Sequence, residues 1–286
     1  MKTPALPGII SSATLLGVMR VAMFFTLMFL LWIAQFSYRY LKPQSIFFVA
    51  QIFYRIVLKG MAFKIRVHGT MTKTTPALFV SNHSSYLDIP ILGSLIPGSF
   101  VAKADVRDWP IIGFLCDRQR TVFVERRSTR AEEHRDMLGE HLDKGESLIV
   151  FPEGTSSDGM EVLPFRSTLF SIVEKREVPV QPVTIICSEL DGMPITRALR
   201  PMYAWFGDMT FARHLWRVFK SGHYTVDVIF HPPVEASDFP NRKVLASYCQ
   251  KQVARGIEQS LTGRGISVDA TPKLLPSHHD KIESEP

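Results

Sequence analysis

The sequence predicts an α/β fold: a mixed sheet flanked by helices, preceded by N-terminal membrane-associated helices. Three observations carry this expectation. Strand-like apolar runs alternate with helical segments from Phe63 onward. Two of these runs end in polar turns, Ser81-Asn-His-Ser-Ser-Tyr-Leu-Asp88 and Phe151-Pro-Glu-Gly-Thr155, at the strand ends where α/β sheets place their sites. The longest uncharged apolar stretch lies before residue 62.

That stretch is Val21 to Tyr38, bounded by Arg20 and Arg39 and dominated by Phe, Leu, Met and Trp. As a helix it is roughly 27 Å long, enough to reach across a bilayer core. A cleaved signal peptide fits poorly, because Trp32 and Ala34 make no small-x-small cleavage site. From Ile46 to Met61, Gln51, Arg55 and Lys59 recur every four residues among apolar side chains, drawing one polar stripe. Such a helix suits the membrane interface with Arg55 and Lys59 at head groups, the alternative being a helix packed on the following domain. Arg39, Lys42, Arg55, Lys59, Lys64 and Arg66 follow the first segment and only Lys2 precedes Arg20, which points the downstream domain to the cytosol at an inner or cytoplasmic membrane.

Phe63 to Gly69 alternates apolar and polar residues as a half-buried strand does, and Ala77 to Val80 is continuous and apolar as a buried one is. Ser99 to Ala104 and Thr121 to Val124 are further strands, with a short helix or turn at Trp109 to Phe114 between them. Thr129-Arg-Ala-Glu132 is a capping box opening a helix to about Asp143, stopped by Lys144-Gly145. Strands at Ser147 to Phe151, Val180 to Ile186 and Tyr224 to Phe230, with helices near Ser167 to Lys175 and Arg242 to Leu261, complete the path. The expected organisation is membrane-attachment helices over 1–62, one catalytic domain over 63–263 and a flexible tail over 264–286.

The chain of 286 residues carries a net charge of +6 and a pI near 9.3. No basic block with interleaved aromatics is present, so a lipid surface is favoured over nucleic acid. Cys116, Cys187 and Cys249 are odd in number and widely spaced, which argues against a disulfide framework and against structural zinc. No metal site is expected, and His278-His279-Asp280 sits in a charge-rich tail.

His83 and Asp88 stand five residues apart, about 140° around a regular helix, so they cannot share a helical face. They meet only if His83 lies in the turn after the strand and Asp88 in the helix that follows. A histidine fixed by a carboxylate in this way is a general base for an alcohol.

These blocks resemble those of the glycerolipid acyltransferase family, which includes the lysophosphatidic acid (1-acylglycerol-3-phosphate) acyltransferases: Asn82-His83-x4-Asp88 and Phe151-Pro-Glu-Gly-Thr155 match its strongest motifs. Phe123-Val-Glu-Arg126 and Val178-Pro-Val-Gln-Pro-Val183 are similar to two weaker ones, in the same order, so the resemblance covers about residues 60 to 190. It implies transfer of a fatty acyl group from a thioester of acyl carrier protein or coenzyme A to the free hydroxyl of a lysolipid. No metal or bound cofactor is needed. His83 and Asp88 would be catalytic, Arg126 would clamp an anionic head group, and Glu153, Gly154 and Thr155 would line the acceptor site. With no Gly-x-Ser-x-Gly elbow in the chain, direct transfer is expected rather than an acyl-serine intermediate.

Many family members carry arginine after Glu-Gly-Thr, whereas this chain has Ser156-Ser157-Asp158-Gly159; Arg166 matches a basic position and would compensate. The same stretch resembles the branch that acylates lyso-ornithine lipid, a phosphorus-free membrane lipid. Lysophosphatidic acid is the first expectation by a narrow margin, and lyso-ornithine lipid is the alternative. A noncatalytic membrane adaptor is the reading from another class. Oligomeric state is left open.

Overall fold

A computed structural model describes residues 12–38, 45–109, 113, 116, 120–124, 131–262 and 266. The helices are α1 (Ser12–Tyr38), α2 (Ser45–Gly60), α3 (Asp88–Leu95), α4 (Ala131–Asp143), α5 (Phe211–Lys220) and α6 (Arg242–Thr262). The strands are β1 (Phe63–Gly69), β2 (Leu78–Ser81), β3 (Ser99–Lys103), β4 (Val122–Val124), β5 (Leu148–Val150), β6 (Val180–Leu190), β7 (Met193–Pro194) and β8 (Tyr224–Phe230). They form one sheet in the order β1-β8-β6-β2-β5-β3-β4, with β7 beside β6. Neighbours are parallel except at β6–β8 and β6–β7, so the sheet is mixed, as expected.

The central strands are apolar throughout because both faces are covered. Alternate side chains along β2 and the residue before it go to opposite cores: Ala77 and Phe79 pack on the side of α2, α3 and α5, whereas Leu78 and Val80 pack with α4 and α6. Leu148 and Val150 of β5 join the second core and Ile149 the first, which locks the β2–β5 register with Val80 opposite Val150. At the far edge Arg66 of β1 donates from Nε and Nη2 to Asp227 of β8 at 2.7 and 2.9 Å, and from Nη1 to Glu189 at 2.7 Å.

Three departures from expectation bear on how the site and the N-terminal helices are placed. Ser167–Ile172 is a 3₁₀-helix rather than an α-helix over Ser167 to Lys175; short i→i+3 turns suffice there to bury Phe170, Ile172 and Val173. No helix is expected between Ile186 and Tyr224, yet α5 lies there, and the spacing Phe211, Leu215, Phe219 is the signal for it. Arg55, expected at lipid head groups, instead donates to the Ser94 carbonyl at 3.0 Å, because α2 packs on α3 through Phe53, Tyr54 and Val57.

The α1 helix begins before Arg20 and includes it. Arg20 is buried, donating to the Phe219 and Ser221 carbonyls at the end of α5 at 3.1 and 2.6 Å. Met23, Phe24 and Leu27 pack against the first core, whereas Leu15, Met19, Phe25, Phe29 and Leu30 are exposed. Ser12–Leu31 is long and apolar enough to cross a membrane by length and composition. The tail expected over 264–286 lies outside the described residues apart from Ile266.

Candidate active site

Two adjacent parallel strands, β2 and β5, deliver the two motif turns to one end of the sheet. Asn82, the first residue beyond β2, fixes the turn: its Nδ2 donates to the Ile185 carbonyl at 2.8 Å and its Oδ1 accepts the Ile185 N–H at 2.9 Å. His83 follows in the turn, and Asp88 opens α3, the arrangement their spacing requires.

His83 Nδ1 lies 3.0 Å from Asp88 Oδ2. Asp88 is fully buried, and its carboxylate also accepts the N–H groups of Ser84 and Ser85 at 2.7 and 2.9 Å and the Tyr203 hydroxyl at 2.7 Å. Burial and the Asp88 charge push the Tyr203 phenol well above its ordinary range, so it remains a donor. An acceptor-only carboxylate at Nδ1 puts the proton on that nitrogen and leaves Nε2 with the free lone pair. The imidazole stacks on Phe151, with ring centroids 4.1 Å apart and planes 19° apart, so its orientation is held from the face as well as the edge.

Glu153 ties the two turns together, accepting the His83 N–H on Oε1 at 2.9 Å and the Leu163 N–H on Oε2 at 3.1 Å. Burial pushes its carboxyl up to about 7, against the two backbone N–H groups that lower it and with the Asp88 charge that raises it further. Folding therefore favours the protonated form: the contribution to stability is complete below about pH 4.5, the ordinary value, and is lost as pH rises through about 7. Glu153→Gln is expected to flatten the decline of the thermal unfolding midpoint between pH 4.5 and 7; profiles that stay parallel to wild type would contradict this.

Gly154 has φ +71°, which favours glycine in the turn, and a Cβ there would lie 2.9 Å from the Arg166 guanidinium carbon, so the arginine would have to shift. Thr155 is exposed on the same turn. The following loop returns to the histidine, with the Ser157 N–H donating to the His83 carbonyl at 3.0 Å. The structure thus brings together His83, Asp88, Glu153, Gly154, Thr155 and Arg166, while Arg126 lies outside the described residues. Among the described residues no group of three His, Cys, Asp or Glu side chains is placed to hold a metal ion.

Asn82 and Phe151 sit inside the motifs, but their positioning roles follow only from the contacts. Tyr203 had no sequence signal, since it reaches Asp88 across 115 residues.

Comparison with known proteins agrees with this geometry. The acyltransferase family model matches residues 64–186, a span that holds both turns. A lyso-ornithine lipid O-acyltransferase of Brucella abortus is 38% identical over 222 residues, covering 75% of this chain and 83% of that protein. The protein of the same name from Rhizobium meliloti is 35% identical, covering 79% and 80%. A 1-acyl-sn-glycerol-3-phosphate acyltransferase of Neisseria gonorrhoeae is 30% identical, covering 62% and 67%. The fold matches the crystal structure of the lysophosphatidic acid acyltransferase PlsC from Thermotoga maritima with a TM-score of 0.65 at 22% identity, over 89% of this chain and all of that one. A buried carboxylate orienting a histidine, two motif turns joined by Glu153 and relatives matched over most of their length lead to one conclusion: the chain belongs to the acyltransferase family and is an acyltransferase.

Proposed function

We propose that this enzyme transfers a fatty acyl group from an acyl thioester to the hydroxyl of a membrane lysolipid, with lyso-ornithine lipid as the acceptor. The observation that carries the chemistry is the His83–Asp88 pair, which leaves Nε2 as a base with a fixed tautomer. The acceptor hydroxyl attacks the thioester carbonyl as its proton passes to Nε2. The tetrahedral intermediate collapses, the carbon–sulfur bond breaks, and the departing thiolate takes the proton from the imidazolium. Atoms balance without redox change, and the steps above call on no metal or bound cofactor; acyl carrier protein or coenzyme A carries the acyl co-substrate.

The order of acceptors set out from the sequence is reversed here. Relatives named for lyso-ornithine lipid match at higher identity and over more of this chain than the Neisseria protein named for 1-acyl-sn-glycerol-3-phosphate. Ser156-Ser157-Asp158, where many family members have a cation, also disfavours a phosphomonoester. Lysophosphatidic acid remains the second reading because Arg166 lies over Gly154 and offers one cation at the turn. Residues 1–62 attach the enzyme to the membrane through the exposed apolar face of α1, the domain over 63–263 holds the site, and the basic residues after α1 favour a cytosolic active site.

The deciding assay offers both lysolipids to the purified enzyme with one acyl thioester. Ornithine lipid is the expected product, and transfer to lysophosphatidic acid alone would overturn the acceptor.

A further inference from the structure

Arg200 lies in a 3₁₀-helix (Arg197–Met202) and is 4% exposed. Its Nε is sealed from solvent without a hydrogen-bond acceptor, whereas its terminal nitrogens are not among the sealed, unpartnered atoms of the described residues. The electrostatic neighbours are Cys187 and Asp158. Burial pushes the Cys187 thiol up to about 12, so it supplies no negative charge. Asp158 forms no ion pair with it; its Oδ1 accepts the Met160 N–H at 2.9 Å, which leaves its charge able to meet a ligand. A guanidinium is a planar fork of five donors that stays charged, and burying its Nε without an acceptor is costly unless an anion meets the fork.

Its position is tied to the active site. Arg200 Nη1 is 3.7 Å and Ser84 Oγ 3.6 Å from the point where a Cβ on Gly159 would stand, so the guanidinium and the residue that follows His83 border the same space at Gly159. The segment it belongs to is pinned there twice more: Tyr203 donates to Asp88, and the Trp205 N–H donates to the Ser84 carbonyl at 2.8 Å. Neither motif turn supplies this arginine. An unpaired positive group and an acidic one, both bordering the Ser84–Gly159 contact, make a charge pattern opposite to that of an amino-acid head group. A phosphomonoester carries two negative charges and would be repelled by Asp158.

We propose that Arg200 is the anion ligand of the acceptor: its guanidinium takes the head-group carboxylate beside the His83 turn, while Asp158 faces the head-group ammonium. This deepens, and rests on, the lyso-ornithine reading. In an N-(3-hydroxyacyl)ornithine the carboxylate is only a few bonds from the hydroxyl, which suits a ligand next to the base.

The test uses the full-length enzyme, one acyl thioester and two acceptors: N-(3-hydroxyacyl)ornithine and its carboxamide, which lacks the anion. Wild type is expected to show a KM about tenfold or more higher for the carboxamide, as loss of a charge-assisted bond requires. Arg200→Gln should raise the KM for the carboxylate acceptor to a similar extent, add less than about threefold for the carboxamide and leave the KM for the thioester unchanged. Arg200→Lys should fall between, since it keeps the charge and loses the fork. Equal penalties on both acceptors, or a rise confined to the thioester KM, would overturn the assignment in favour of a packing or donor role. If Arg200→Gln does not fold, the wild-type comparison decides: indifference to the carboxylate overturns the proposal, and discrimination supports it. Should wild type acylate only lysophosphatidic acid, the lyso-ornithine reading fails separately. Arg200→Gln is then read on the KM for that phosphate, where no change overturns the anion role and a rise upholds it.

Discussion

Replacing His83 with alanine lowers the acyl-transfer rate by at least about 10², with membrane attachment and thermal unfolding near wild type. The magnitude follows from removing the group that takes the hydroxyl proton during attack and returns one to the thiolate. Among the described residues the two neighbouring carboxylates are occupied, Glu153 accepting two backbone N–H groups and Asp88 four donors. The imidazole is partly exposed and rests on Phe151, so its loss removes little packing. Single-turnover transfer with saturating lysolipid, beside vesicle co-sedimentation, is the measurement. Undiminished transfer would sink the base assignment.

Asp88→Asn is expected to damage both rate and fold. The fully buried carboxylate accepts from His83, Ser84, Ser85 and Tyr203. An asparagine brings one oxygen and one donor, so its amide faces N–H groups that it cannot satisfy. Breaking such a buried charged network costs about 3 kcal/mol or more. If the asparagine oxygen stays at the Oδ2 position it still accepts from Nδ1 and the two backbone N–H groups, but its NH₂ meets the Tyr203 hydroxyl in place of Oδ1, and the neutral amide no longer stabilises the imidazolium that forms during transfer. Turnover should then fall by about 10² to 10⁴. Thermal unfolding and kcat on the same preparation check the pair of effects. A variant with normal stability and normal kcat would show that Asp88 neither orients the histidine nor holds the turn.

The two substitutions separate roles that the motif alone merges. His83→Ala removes chemistry from an intact turn, whereas Asp88→Asn loosens the turn that aims the chemistry. Their stability difference is therefore as informative as their rates.

The central sheet was legible in the sequence because its determinants are local. Continuous apolar runs at Leu78 to Val80 and Leu148 to Val150 can only be buried on both faces, and each is followed at once by turn chemistry. The angular separation of His83 and Asp88 placed one before α3 and the other within it, before any contact was known. The acyltransferase family was likewise readable, since its motifs are short and contiguous.

Tertiary structure alone decided which distant groups complete the site. Tyr203 reaches Asp88, and Arg200 lies beside Ser84, because the segment after β6 folds back over the β2 turn. No periodicity over a few residues reports a contact of that range. It also decided which side of α2 faces protein: a stripe of Gln51, Arg55 and Lys59 reads equally as lipid-facing or protein-facing until α3 is in place, and Arg55 then bonds to Ser94. The sequence by itself determined the strands, the turns and the acid–base pair, because spacing and polarity act locally. The partners that surround that pair depend on which strands become neighbours, and that choice is made by packing across the whole sheet.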